Sequence, residues 1–210
     1  MARLHRRDVT KLGLASGLAL VVGPHRVVAQ DNPMPDELRE AIERQAFSPV
    51  LGNARGDITL TEFFDYNCPY CRTTVPILQK LIASDPGLRV VLREWPIFGE
   101  GSEFSARASL AALKQDKYWQ FHSGLMAVRG RAEEASALKV AGEVGLDVAR
   151  LRRDMTSAEV EDHIGQSMAL GDHMGLAGTP TFIAGNGGLF GKQSRAELEA
   201  LVAQARKDLA

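Results

Sequence analysis

The 210-residue chain is poor in cysteine, with Cys68 and Cys71 as its only two. That excludes a small fold stapled by several disulfides, and it excludes a zinc site closed by four thiolates of one chain. Positive charge is not in excess either, at 25 Lys+Arg against 26 Asp+Glu. Five of the bases (Arg3, Arg6, Arg7, Lys11, Arg26) and one acid (Asp8) fall in the first 29 residues, which leaves the remainder with 20 bases against 25 acids, a net −5. A body of that sign lacks the basic field of a general nucleic-acid binder. Crossing a bilayer as a helix takes roughly 20 apolar residues. The uncharged run Leu12 to Pro24 is shorter and contains Gly13, Ser16 and Gly17. Internal repeats and low-complexity stretches are also missing from the sequence.

What is present begins with an address. Residues 1–11 are basic, Leu12 to Pro24 are uncharged, and Val27-Val28-Ala29 supplies small or modest side chains. This is the three-part layout of a secretory signal, with cleavage expected near Ala29 or Gln30. Arg6-Arg7, followed by Val9 and Lys11, is similar to a twin-arginine signal, from which Asp8 and Thr10 depart; the export route stays open. Export from a bacterial cytoplasm places residues 30–210 in the periplasm, where disulfides persist. A body of about 180 residues buries close to 70% of the surface its unfolded chain exposes. Such a core needs no staple, so the cysteines are free for chemistry.

Hydrophobic patterning orders the rest. A short helix is expected after Pro35, capped by Asp36, with Leu38, Ile42 and Phe47 along one side. Residues 57–64 are β-branched and aromatic without a break, as in a buried strand. From Pro69, Val75, Leu78, Leu81 and Ile82 recur at helical spacing, so Cys68 and Cys71 sit where a strand turns into a helix. Pro69 suits the first turn, which has no use for its missing N–H. A second strand is expected over residues 89–95. Alanine-rich helical segments follow at 104–113, 118–128, 132–144, 148–155 and 158–174. Strands return at 181–184 and around Leu189-Phe190 across a glycine-rich hairpin, before a last helix capped by Ser194. The order β, α, β, helical block, β, β, α predicts an α/β fold: a small mixed central sheet with an inserted α-helical domain. The expected division is residues 1–29 as signal, 30–56 as an extension with a short helix, 57–101 and 177–210 as the two parts of the sheet domain, and 102–176 as the insertion.

At a helix start, a thiolate on Cys68 faces unpaired N–H groups and the positive end of the helix dipole. Such a setting lowers a cysteine pKa from about 8.5 to between roughly 3.5 and 7.5. A stabilised thiolate favours the reduced protein, which makes a Cys68–Cys71 disulfide an oxidant. Cys68 is expected to be the attacking, exposed sulfur, and Cys71, one turn further in, to resolve the mixed disulfide. Two other readings stay open at this point, an inert short-loop bridge and a thiolate pair holding Cu(I). His163 and His173 lie about 15 Å apart along a helix, too far for one ion, and His122 is expected to pack or cap. No metal site is expected from the histidines, and Tyr118, Trp119 and Phe121 read as core of the insertion.

Phe63-Phe64-Asp65-Tyr66-Asn67-Cys68-Pro69-Tyr70-Cys71 resembles the active-site segment of the DsbA-like thiol:disulfide oxidoreductases, a branch of the thioredoxin-fold superfamily with a helical insertion. The resemblance extends to Gly52-Asn53, Arg93-Glu94-Trp95-Pro96, Lys117-Tyr118-Trp119-Gln120-Phe121-His122 and Gly178-Thr179-Pro180-Thr181-Phe182. It implies a thioredoxin-like fold in which Pro69 and Tyr70 form the active-site loop. Pro180 is then a cis-proline facing the cysteines, and Thr179 offers backbone hydrogen bonds to an extended substrate. Glu62, six residues before Cys68, matches the buried acid beneath the resolving cysteine. In an apolar strand its pKa should be raised, suiting it to relay a proton to or from Cys71; the competing reading has strand alternation place Glu62 on a solvated face. No organic cofactor is required. The implied partners are cysteine-containing exported proteins and a membrane-embedded, quinone-linked oxidase that restores the disulfide. Disulfide formation is the leading reading. Thr179 resembles the residue found before the cis-proline in periplasmic isomerases, which keeps isomerase or reductase activity as the alternative, with a Cu(I)-binding module as another.

Overall fold

The computed structural model describes residues 26–27 and 33–210. The expected signal segment lies outside the described residues except for β1 (Arg26–Val27). The first part of the chain forms α1 (Asp36–Glu43), β2 (Val50–Gly52), β3 (Ile58–Phe64), α2 (Pro69–Ser84) and β4 (Leu88–Glu94). Then come the helices α3 (Glu100–Leu113), α4 (Tyr118–Met126), α5 (Glu134–Glu143), α6 (Val148–Asp154) and α7 (Ala158–His173). A hairpin of β5 (Thr181–Ala184) and β6 (Gly187–Phe190) and the last helix, α8 (Arg195–Asp208), complete the chain. The strands lie in the order β1-β6-β5-β3-β4-β2. β3 and β4 are parallel and joined through α2, while the other pairs are antiparallel. The result is a mixed sheet carrying an inserted block of helices, an α/β architecture.

Every residue of β3 and β4 is buried, because helices cover both faces of the sheet centre. Side chains alternate across a strand. Ile58, Leu60 and Phe64 therefore enter the main core with Leu78 and Leu81 of α2 and Leu198 and Val202 of α8. Phe63 points the other way, into a smaller cluster with Ile42, Trp95 and Ile183. Glu62, between Leu60 and Phe64, shares the α2 side with both cysteines.

Three local expectations change. Asp36 is the first residue of α1 and Pro35 its cap. The acid stabilises the first turn through the helix dipole instead of by capping. That helix ends at Glu43, so Phe47 lies beyond it and packs against a separate cluster of Ala106, Leu110, Val160 and Ile164. α3 starts at Glu100, earlier than Phe104, because Gly99 turns the chain at φ 89° and Glu100 and Glu103 favour the opening turn. β2 had no signal in the pattern: it pairs only three residues with β4 and ends at Gly52, where a Cβ would lie 2.6 Å from the Leu88 carbonyl oxygen.

Gly171 of α7 decides how closely that helix approaches the sheet. A Cβ there would meet the Trp95 indole at 2.7 Å, and that ring is itself packed edge-on against Phe63. Alanine for glycine within a helix ordinarily stabilises by about 1 kcal/mol. Gly171→Ala should instead destabilise by about 1–3 kcal/mol through overpacking. Gly165, in the same helix with open space around it, should show the ordinary sign. Denaturant unfolding of the two variants checks this pair of opposite expectations.

Candidate active site

β3 ends at Phe64 and α2 begins at Pro69, with Cys68 as its cap residue at φ −77°, ψ 119°. The intervening turn is built by Asp65. Its backbone carbonyl accepts the Cys68 N–H at 3.1 Å, and its carboxylate accepts the Asn67 N–H at 2.7 Å, an Asx turn. The Asn67 side chain bonds both the N–H and the carbonyl of Ala132, at 2.8 and 2.9 Å. Arg72 donates to the Tyr66 carbonyl at 3.1 Å and the Val128 carbonyl at 2.8 Å. The cysteine turn is thus pinned to the helical block as well as to the sheet.

Both cysteines are free thiols. The Thr179–Pro180 peptide bond is cis, and the Cys68 thiol donates to the Thr179 carbonyl at 3.2 Å. Cys68 was expected to be exposed, but it keeps only 2% of its accessible surface, and Cys71 1%. The Thr179 loop lies across the sulfur and occupies the approach, while Pro69 and Tyr70 beside it are exposed.

The two sulfurs are electrostatically unlike. Cys68 is lowered to about 6. The largest cause is the hydrogen bond from the Cys71 thiol; burial opposes it, and the Thr179 hydroxyl and the backbone N–H groups of Cys71 and Tyr70 add to the lowering. The helix N–H groups expected to dominate therefore rank behind the partner thiol. Around the neutral thiol the buried Thr179 hydroxyl has no partner; it donates once the sulfur is charged. Cys71 is pushed far above an ordinary thiol, chiefly by burial, then by its hydrogen bond to Cys68 and by Glu62. Glu62 is 2% exposed, and its Oε1 has no partner. Burial, followed by repulsion from a charged Cys68, holds its carboxyl well above the usual range against a smaller opposing bond from Thr74. The solvated-face reading of Glu62 does not hold, because both faces of β3 are covered.

Other polar residues of this region carried no clear signal in the pattern. Glu94, fully buried, accepts from Tyr118 at 2.6 Å and Ser109 at 3.3 Å and pairs with His163 at 2.8 Å. Tyr66 bonds Ser109 and lies 3.0 Å from His122 Nδ1. His122 does pack, between Tyr118 and Trp119, and burial lowers its pKa to about 3. A charged residue inside a strand pattern hints at such a network but does not name its partners. Among the described residues no group of three or more His, Cys, Asp or Glu is arranged to hold a metal.

Residues 59–203 match the DSBA-like thioredoxin domain. A thioredoxin-like oxidoreductase from Silicibacter pomeroyi DSS-3 superposes with a TM-score of 0.78 at 49% identity, covering 80% of this chain and 98% of that one. The catalytic domain of Proteus mirabilis ScsC does so with a TM-score of 0.75 at 25% identity, covering 82% of this chain and 96% of that one. The Na(+)/H(+) antiporter NhaA 3 of Salinispora tropica is 29% identical over 135 residues, 63% of this chain. The chain spans only 21% of that antiporter's length.

Thiolate absorbance of the reduced protein should show a midpoint near 6. Cys71→Ala removes the largest cause of the lowering and should raise that midpoint by about one unit; an unmoved midpoint would leave the effect to the Thr179 hydroxyl and the helix N–H groups. A pKa lowered from 9.0 to about 6 stabilises the reduced fold fully above pH 9. That contribution shrinks as pH falls and is gone below about 6. Urea unfolding from pH 9 to pH 5 should show the stability of the reduced protein declining relative to the oxidised one, a comparison in which the opposing contribution of the raised Glu62 carboxyl is present in both forms.

Proposed function

The chain belongs to the DSBA-like thioredoxin-domain family, and from that membership we propose that it is an exported thiol:disulfide oxidoreductase that forms disulfides in cysteine-containing proteins. The observation that carries the reading is the asymmetric pair: a Cys68 sulfur lowered to about 6 next to a Cys71 sulfur raised far above it, under the Thr179–Pro180 loop. A thiolate that is stable when released makes the disulfide a good electron acceptor.

In the oxidised protein the Cys68 sulfur bears no hydrogen, so the Thr179 carbonyl it engaged is free to accept an N–H from an extended substrate. A substrate thiolate attacks Cys68 Sγ, the Cys68–Cys71 bond breaks, and Cys71 leaves with the electron pair. Because Cys71 holds a proton so strongly, its departure calls for an acid. Glu62, whose neutral form is favoured by burial, supplies that proton in this reading. The second substrate thiolate then attacks the substrate's own sulfur in the mixed disulfide, releasing Cys68 as the thiolate. Two electrons have passed from the substrate dithiol to the pair, and a membrane-embedded, quinone-linked oxidase would take them up to restore it. The basic and uncharged stretches of residues 1–29 support export to the periplasm.

Thr179 favours one second reading. It resembles the residue before the cis-proline in periplasmic isomerases, and a reduced Cys68 that is already a thiolate would attack wrongly paired disulfides. The reduction potential in a glutathione buffer separates the directions. Disulfide formation predicts a value near the roughly −120 mV of DsbA, and a value near the roughly −270 mV of thioredoxin would move the assignment to reduction. Glu62→Gln should slow oxidation of a reduced protein substrate about tenfold or more at pH 7. An unchanged stopped-flow rate would remove Glu62 from the mechanism.

A further inference from the structure

Asp65 is 2% exposed, and its carboxylate gathers four donors from three segments. Oδ1 accepts the Asn67 N–H and the Ser102 hydroxyl, each at 2.7 Å. Oδ2 accepts the N–H groups of Ile97 and Phe98, at 2.8 and 3.1 Å. Ser102 Oγ in turn accepts from Asn67 Nδ2 at 2.9 Å, which closes a ring of side chains around the turn. A carboxylate offers about four lone-pair positions and no donor, and an amide in its place would offer half as many and turn two N–H groups toward others. The backbone of the same residue reaches both cysteines. Its carbonyl takes the Cys68 N–H at 3.1 Å, and its N–H faces the Cys71 sulfur. Ile97 and Phe98 are two of the five exposed large hydrophobic side chains among the described residues, at 37% and 46%.

We propose that Asp65 is a positioning residue of the thiol site: its buried carboxylate locks the turn that carries Cys68 to the exposed Ile97–Phe98 pair, and so holds the sulfur against the groups that stabilise its charge. The proposal rests on the thiol–disulfide exchange reading and adds to it a residue that touches neither substrate nor sulfur through its side chain. Removing the carboxylate leaves buried N–H groups unpaired, which costs more than the bonds themselves contribute. The turn then relaxes, and Cys68 loses alignment with the Tyr70 and Cys71 N–H groups.

The test compares reduced wild type, Asp65→Asn, and Ile42→Val, which weakens the fold on the α1 side away from the cysteine turn. Asp65→Asn should raise the Cys68 thiolate midpoint by about half a unit or more, with Ile42→Val at the wild-type value. A folded Asp65→Asn that melts earlier but keeps the wild-type midpoint overturns the proposal, because its role is then only structural. If Asp65→Asn does not fold, amide hydrogen exchange on the wild type decides. One clamp predicts protection factors for the Asn67, Ile97 and Phe98 amides within about tenfold of one another. A wider spread overturns it. Wild-type turnover of a reduced protein substrate, measured alongside, separates the outcomes: its absence removes the proposed function, while the midpoint still reports on Asp65.

Discussion

The influence of each cysteine on the other's charge sets the chemistry of the pair: Cys71 is the largest cause lowering Cys68, and Cys68 helps to raise Cys71. One group is made acidic and the other basic by the same contact, because a proton shared between two sulfurs favours charge on the acceptor and opposes it on the donor. Burial amplifies the difference. Cys71 lies deeper, under the sheet and beside Glu62, where a second negative charge is expensive. Cys68 sits at the opening of α2, where three further donors reach it. In the proposed reaction, one stabilised and one destabilised thiolate give the exchange an order of events, with Cys68 exchanging and Cys71 resolving.

That arrangement depends on the middle of the sheet. β3 delivers Glu62 to the cysteine side by strand alternation, and it delivers the chain end that turns into α2. Phe182 of β5 and Leu92 of β4 flank Glu62 in register, so the carboxyl is walled by apolar neighbours on both sides and its neutral form is favoured. The hairpin of β5 and β6 brings the Thr179–Pro180 loop over Cys68, with the Gly191 N–H bonded to the Pro180 carbonyl at 2.8 Å. Acid and thiol pair thus come from β3 and the turn that follows it, and the covering loop from the start of β5, two adjacent strands whose spacing is fixed by backbone hydrogen bonds.

The helical block contributes rigidity more than chemistry. Asn67 and Arg72 hold the Val128–Ala132 stretch, and Glu94 draws Tyr118, Ser109 and His163 to the end of β4. Glu94, Tyr118, Ser109 and His163 are buried and Asn67 and Arg72 half-buried, so displacing one disturbs several others. Such networks specify one arrangement of the insertion against the sheet. The cost of the arrangement is access: the Cys68 sulfur that meets a substrate in the proposed reaction is covered by the Thr179 carbonyl while it is a neutral thiol.

The order of the elements apart from the edge strands β1 and β2, the burial of the central strand and the placement of both cysteines at a helix start were legible in the sequence, because each rests on local periodicity or on a neighbour two to four residues away. Residues 63–71 alone pointed to the chemistry. The roles of Asp65 and Glu94 were not legible, since their partners stand at separations such as Asp65 to Ser102 and Glu94 to His163. A carboxylate in a strand pattern says only that it must be paired, never with what. The exposure of Cys68 was misjudged for the same reason: the group that covers it is a carbonyl 111 residues away. What the sequence by itself determined is therefore which atoms are chemically competent. That Cys68 is the stabilised sulfur followed from its place at a helix start, but how much its partner thiol contributes, how far it is covered and what holds it in place were decided by tertiary structure, because electrostatic environment belongs to neighbours in space.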